Sequence, residues 1–267
     1  MLLKLYTRFN VLSLDVALGS LCAALFFGKL LHVQILVFGL LSLSVSVWII
    51  YTVDHLLDAK RIKAPASTER HRFHQQHFQV LCWMVVLSII LNIVVVMFIR
   101  PAVLRGGLIL IACCALYLIV HRVIKFPKEF LIAILYTAGV LLPSLSVTQM
   151  ELSQLPLVIV VQFLLTAFLN LVIFSWYDRD RDQRDGSASI VLRLGDKKSR
   201  KIIFIIPIVN LLLMMWTTDV IASLTVMVMS ATLLAVFLCQ SFLREDDRFR
   251  LLGDAVFFLP LLYLLIS

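Results

Sequence analysis

Two aspartate pairs in a chain of 267 residues share one spacing. Asp54 and Asp58 close the segment Tyr51-Thr52-Val53-Asp54-His55-Leu56-Leu57-Asp58, and Asp178 and Asp182 lie in Trp176-Tyr177-Asp178-Arg179-Asp180-Arg181-Asp182. On a helix, residues four apart stack on one face about one turn apart, so each pair presents two carboxylates together. Like charges so placed repel and are costly to desolvate. A divalent cation removes both difficulties: Mg²⁺ takes oxygen ligands, keeps waters, and bridges one or two carboxylates to substrate phosphates. Two facing pairs therefore suit a diphosphate ligand. Extending the second face back by fours adds Phe174 and Asn170. A lone pair would read as a solvated charge run balanced by Lys60, Arg61, Arg179, Arg181 and Arg184; repetition at the mouths of two apolar runs favours the metal reading.

The elements that must carry these pairs are membrane helices. Hydrophobic residues make up 61% of the chain and charged residues 15%, with a mean hydropathy of +1.01. Soluble domains sit near 45 to 50% and about 25%, so a soluble enzyme, a disordered tail and a fibrous protein are excluded. A window of about 20 apolar residues, the length that crosses the hydrocarbon core, finds nine runs. They are Asn10–Gly28, Val33–Val53, Gln79–Ile99, Leu104–Val120, Phe130–Thr148, Leu155–Tyr177, Ile202–Trp216, Val220–Phe242 and Leu251–Ile266, the seventh and ninth being short. With nine spans, 21 of the 24 Lys and Arg fall on the side of the N-terminus. Positive charge accumulates in short cytoplasmic loops, so the expected protein is an integral, multi-pass one with its N-terminus cytoplasmic and its C-terminus outside, as in a bacterial inner membrane.

The net charge of +8 is thereby a topology signal; it needs no nucleic acid, and the basic loops meet membrane lipid headgroups. Lys4 and Arg8 before an apolar stretch imitate a signal peptide, but no small-residue cleavage site follows, so the first run is expected to be a retained span. Cys22, Cys82, Cys113, Cys114 and Cys239 lie inside apolar runs and read as small core residues. Asp15 is an intramembrane acid and by default a functional candidate. His71, His74 and His77 lack zinc-type geometry and read as interfacial side chains.

Taken together, these features resemble the UbiA superfamily of intramembrane prenyltransferases. The second motif carries most of the likeness: Asp178-Arg-Asp-Arg-Asp182, then Gly186, then Ser189-Ile190-Val191-Leu192-Arg193-Leu194-Gly195, is similar to the family's DxxxD followed by a glycine and a segment closing on leucine and glycine. Tyr117-Leu-Ile-Val-His121-Arg122 looks like the family's YxxxK, and Pro143 falls where the fifth span commonly carries a proline. The first motif keeps Asp54 and Asp58, while Ile50 and Tyr51 stand at the pattern's first two polar positions.

The resemblance implies an all-α bundle of about nine transmembrane helices over residues 1–267, a single domain with a central cavity open to the cytoplasmic side. It implies a prenyl diphosphate and a small aromatic or lipidic acceptor as substrates, with no obligate protein partner. Asp54, Asp58, Asp178 and Asp182 would hold Mg²⁺ and serve catalysis. Tyr51, Arg61, Arg72, Tyr117, His121, Arg122, Lys125, Asn170 and Arg179 would bind substrate, Arg70 is a further candidate for the phosphates, and Phe174, Trp48 and Tyr51 would face a carbocation through their π systems. The competing readings are an acceptor-free terpene synthase, a transporter, and a non-catalytic scaffold; a transporter of the broken-helix kind keeps its ionisable residues near the midplane, whereas these pairs sit at span ends.

Overall fold

The computed structural model describes residues 2–62, 65–123, 128–186, 188–244 and 247–266, without the side chains of 2–4, 118, 120–123 and 152. The described residues form a helical bundle: α1 (Leu2–Val11), α2 (Leu14–Leu30), α3 (Val37–Arg61), α4 (Glu69–Gln76), α5 (Phe78–Val96), α6 (Pro101–Val123), α7 (Glu129–Leu145), α8 (Leu157–Asp185), α9 (Ile190–Leu194), α10 (Asp196–Leu213), α11 (Val220–Leu238), α12 (Gln240–Leu243), α13 (Arg248–Ala255) and α14 (Pro260–Ile266). The protein is a polytopic membrane helical bundle.

Among the described residues, six stretches are long and apolar enough to cross a membrane: α3, α5, α8, α10 with the turn after it, α11, and Arg248–Ile266. A seventh arises if α1 and α2 form one broken span. The runs expected at Leu104–Val120 and Phe130–Thr148 become the shorter apolar helices Pro101–Tyr117 and Glu129–Leu145. The expected first span is not one straight helix. It bends by 79° between Val11 and Leu14, where Ser13 takes the left-handed conformation at φ 57°, so that Asn10 lies in the last turn of one helix and Asp15 in the first turn of the next. The seventh run, in contrast, begins six residues earlier than expected, at Asp196.

α8 is the centre of the bundle. Its first half is mostly apolar, with Gln162 and Thr166 buried among apolar neighbours, and Phe163, Leu169, Val172 and Ile173 are fully buried against α7, α10 and α11. With 29 residues it is about 43 Å long at 1.5 Å per residue, which exceeds the roughly 30 Å hydrocarbon core; the surplus turns carry Asp178 and Asp182. Gly186, at φ 67°, accepts the left-handed conformation that terminates the helix. α3 overshoots in the same way and carries Asp54 and Asp58 in its last two turns. A second apolar cluster joins Ala17, Trp48, Leu56, Leu81 and Val85 across α2, α3 and α5. α5 turns Trp83, Leu87 and Ile93 outward, an apolar surface that lipid covers. Cys113 and Cys239, expected inside, are also exposed, because they fall on such outward faces.

Candidate active site

Both aspartate pairs line one cavity of about 440 Å³ at the ends of α3 and α8. Lys128, just before α7, enters between Asp54 and Asp58, with its Nζ 3.3 Å from Asp54 Oδ2 and 3.0 Å from Asp58 Oδ2. Burial favours the neutral amine there, yet the two carboxylates outweigh it and hold the ammonium well above the usual lysine range. Arg61 stands 3.8 Å from the other oxygen of Asp58. On the facing helix, Asp178 is buried and paired with Arg181 at 3.3 Å and with Arg250 from α13. The Arg250 guanidinium also lies 5.3 Å from the centre of the Phe174 ring, so that ring already presents a π face to a cation. Arg181 is anchored in turn by Asp247 at 2.5 Å.

Glu129 fastens this wall. Its Oε1 accepts hydrogen bonds from Ser175 Oγ at 2.5 Å and from the Ile190 amide at 2.8 Å, tying the starts of α7 and α9 to α8. Its Oε2 is buried without a hydrogen-bond partner. At the far side of the cavity, Asn10 Nδ2 donates to Asp254 Oδ2 at 2.8 Å and to Asp15. Arg70 Nη2 donates to Asn10 Oδ1 at 2.9 Å and faces Asp254 Oδ2 at 3.7 Å. Asp15, which the sequence offers without a partner, thus belongs to a buried network that reaches the cavity through Arg70 and Asp254.

Of the residues expected to bind substrate, Tyr51, Arg61, Tyr117 and Asn170 line the cavity, as do Arg70 and Phe174. Arg179 does not: it is half-buried and bonded to Asp196 at 2.5 Å, because the Arg179 face of α8 turns toward α10. Arg72 is not in the lining either and reaches the Ala66 carbonyl at 3.5 Å. Trp48 is taken up by the second apolar cluster and donates to the Leu12 carbonyl at 2.9 Å, capping the break in the first span. The side chains of His121 and Arg122, and Lys125 altogether, lie outside the described residues. His74, expected at the interface, is buried and bonded to the Arg70 carbonyl, while His71 joins the cavity wall.

Sequence reasoning missed Lys128, Glu129, Arg250 and Asp254. Asp254 carried a usable signal, since it is an acid within the ninth apolar run. Lys128 and Arg250 carried none, being two among many basic loop residues.

The charges in this lining do not balance. Among the described residues it holds seven carboxylates, from Asp54, Asp58, Glu129, Asp178, Asp182, Asp185 and Asp254, against four cations, from Arg61, Arg70, Lys128 and Arg250. Among those residues, no three His, Cys, Asp or Glu side chains converge to hold a metal by themselves. The donor set instead suits a hard cation that takes one or two carboxylates and completes its shell with water and phosphate oxygens. Lys128 shows that Asp54 and Asp58 can close on a single positive centre.

No family model matches the chain, and no curated protein sequence does. Its fold is similar to that of a solved digeranylgeranylglyceryl phosphate synthase from membranes, over 98% of this chain and 95% of that one, with 15% identity and a TM-score of 0.51. At that identity the likeness is one of fold, and it extends over nearly the whole bundle.

Proposed function

We propose that the protein ionises an allylic prenyl diphosphate in this cavity and transfers the prenyl group to an aromatic or lipidic acceptor, with Mg²⁺ as cofactor. The observation that carries this reading is the meeting of two i, i+4 aspartate pairs from two membrane helices in one cavity that also holds cations and a π face. The similar fold of a prenyl-transferring synthase supports it. The chain would act as one domain, placed in a bacterial inner membrane with the cavity mouth on the cytoplasmic side, where 21 of 24 Lys and Arg lie by the nine-span reading.

Asp54 and Asp58, and on the other wall Asp178 and Asp182, would hold the metal. When bound, Mg²⁺ supplies Lewis-acid charge to the leaving diphosphate. Lys128, Arg70 and Arg250 line the same space and donate charge-assisted hydrogen bonds to phosphate oxygens. The Phe174 ring and Tyr51 face the allylic carbon as positive charge grows there. Burial of the inner wall keeps water from capturing the cation.

The test is release of diphosphate from C10 to C20 prenyl diphosphates by the purified protein, with Mg²⁺ or EDTA, beside Asp54→Ala and Asp178→Ala. Metal-dependent release that both substitutions abolish is the expected result. Neither release nor metal-dependent binding of any of these diphosphates would overturn the reading.

A further inference from the structure

The two aspartate pairs are neutralised by different kinds of cation. Asp178 is held by arginines: Arg181, itself anchored by Asp247 at 2.5 Å, and Arg250, which rests against the Phe174 ring. Asp54 and Asp58 are held by a lysine, whose Nζ donates to the Oδ2 of each at 3.3 and 3.0 Å. A guanidinium bound at several points stays in place, whereas an ammonium on a four-carbon stem is a compact charge with rotatable donors. The first pair therefore carries a counter-ion that is able to leave.

The backbone beneath that stem is fixed. Lys128 directly precedes α7, and Glu129, the first residue of α7, is bound through Oε1 to Ser175 Oγ on α8 and to the Ile190 amide of α9. From this base the Lys128 side chain reaches the carboxylates of α3, in the cavity that both pairs line. The contact is sheltered, with side-chain exposures of 24% for Lys128, 19% for Asp54 and 21% for Asp58. Breaking a sheltered ion pair without replacing a partner is costly, so without a ligand the ammonium stays on the carboxylates.

There it fills the place between two Oδ2 atoms that a metal ion shared by the pair would take, and its charge repels a divalent cation. Ammonium and metal exclude each other. A diphosphate changes the balance on both sides. It gives the ammonium charge-assisted acceptors within the same cavity, and it supplies the phosphate oxygens that Mg²⁺ takes beside one or two carboxylates.

We propose that Lys128 is a tethered gate on metal entry: it closes the Asp54–Asp58 pair to divalent cations until a diphosphate draws its ammonium away. The gate deepens the prenyl-transfer reading and rests on it for the ligand, a diphosphate ester. Metal and diphosphate then raise each other's affinity by one and the same factor. When diphosphate departs, Lys128 returns to the pair and expels the metal, so the site does not hold a cation between turnovers. No covalent bond changes in this step.

The probes are Mn²⁺, a hard cation that prefers the same oxygen ligands, and inorganic pyrophosphate. Binding to the purified full chain is read by water-proton relaxation, which responds to metal slowed by the protein, after subtraction of protein-free samples. Lys128→Gln should bind Mn²⁺ alone at least about tenfold tighter than wild type and lose most of the gain that pyrophosphate gives wild type, a gain of about 10- to 100-fold. Arg61→Gln removes another cation beside Asp58, but an exposed one, and should tighten Mn²⁺ binding by about threefold or less. Lys128→Arg should bind Mn²⁺ no tighter than wild type, and its forked grip on the carboxylates should cut the gain from pyrophosphate to about threefold. Wild-type Mn²⁺ affinity in Lys128→Gln, or equal tightening by Lys128→Gln and Arg61→Gln, overturns the gate. A full wild-type gain in Lys128→Arg overturns it as well, and that variant decides the matter if Lys128→Gln does not fold. Failure of the prenyl-transfer reading looks different: wild-type protein then releases no diphosphate from prenyl diphosphates, while tighter Mn²⁺ binding by Lys128→Gln leaves the gate standing for another diphosphate ester.

Discussion

α8 carries polar residues at two depths, and the bundle treats them in opposite ways. In its first half, Gln162 donates to the Asn210 carbonyl at 2.7 Å and accepts from Ser223 Oγ at 2.9 Å, while Asn210 Nδ2 donates to Thr166 Oγ1 at 3.0 Å. Three helices share these bonds, both ends of the Gln162 amide are used, and all four residues are fully buried. This is polar adhesion between spans in a setting where apolar burial against lipid offers little. Further along the helix, Asn170 and the two aspartates face a cavity rimmed by excess negative charge, and unpaired buried oxygens remain at Asn170 and, on α7, at Tyr136 and Glu129. Most polar atoms of the Gln162 network are satisfied within the fold, Asn210 Oδ1 being the one left without a hydrogen-bond partner among the described atoms of these four side chains. The groups left waiting, Asn170 about one turn beyond Thr166 on α8 and Tyr136 and Glu129 on α7, instead border the cavity or its inner recess.

This contrast is open to attack. The largest effect should come from the cavity: Asp178→Ala or Asp54→Ala should cut Mg²⁺-dependent diphosphate release about 100- to 1000-fold, the scale of losing one preorganised electrostatic element. Gln162→Leu should leave that release within about twofold, and a large loss of turnover there would dissolve the distinction between the two regions.

Lys128→Gln sharpens it next. With the ammonium gone, Asp54 and Asp58 lose the cation they share, and thermal unfolding in EDTA should show a loss of about 1–2 kcal/mol, reduced from the fully buried case because these groups are partly exposed. Added Mg²⁺ should recover part of it; no recovery would count against a cation site between those carboxylates. Gln162→Leu should itself lower stability by about 1 kcal/mol, since it leaves the Asn210 carbonyl and Ser223 without their partner, and the loss should not respond to Mg²⁺.

The smallest effect concerns pH. Burial, with Arg250, Lys128 and Arg70 nearby, pushes the His71 imidazole from 6.5 down to about 4 despite the opposing pull of Asp58. The unfolded chain then binds a proton that the folded one refuses. The associated stability is complete above about pH 6.5 and falls as pH drops toward 4, by under about 1 kcal/mol at pH 6. Thermal unfolding of wild type and His71→Asn between pH 7.5 and 6 should show the wild-type curve falling more steeply; parallel curves would mean that His71 is not held neutral.

Much of this was legible in the chain. Apolar runs of membrane length dictate helices because backbone groups in lipid must be satisfied within their own segment. The i, i+4 spacing puts each aspartate pair on one face before any tertiary contact is known, and an overshoot of α3 and α8 beyond the hydrocarbon core is arithmetic on length. Local rules such as these need only neighbouring residues. They fail where several faces carry equivalent charges. In Asp178-Arg179-Asp180-Arg181-Asp182 every side of the helix bears an acid or a base, so only packing decided that Asp178 and Asp182 turn inward while Arg179 meets Asp196. The break at Ser13 was equally hidden within an apolar run, yet it brings Asn10 to Asp254 across 244 residues of sequence. Lys128 between the first pair, Arg250 on the second, and the unpaired oxygens of the inner recess all depend on segments far apart in the chain. The sequence determined which residues could do chemistry and at which end of their helices they stand; the tertiary structure alone decided which face one another, because a charge finds its partner through the packing of distant helices and not through its spacing from its neighbours.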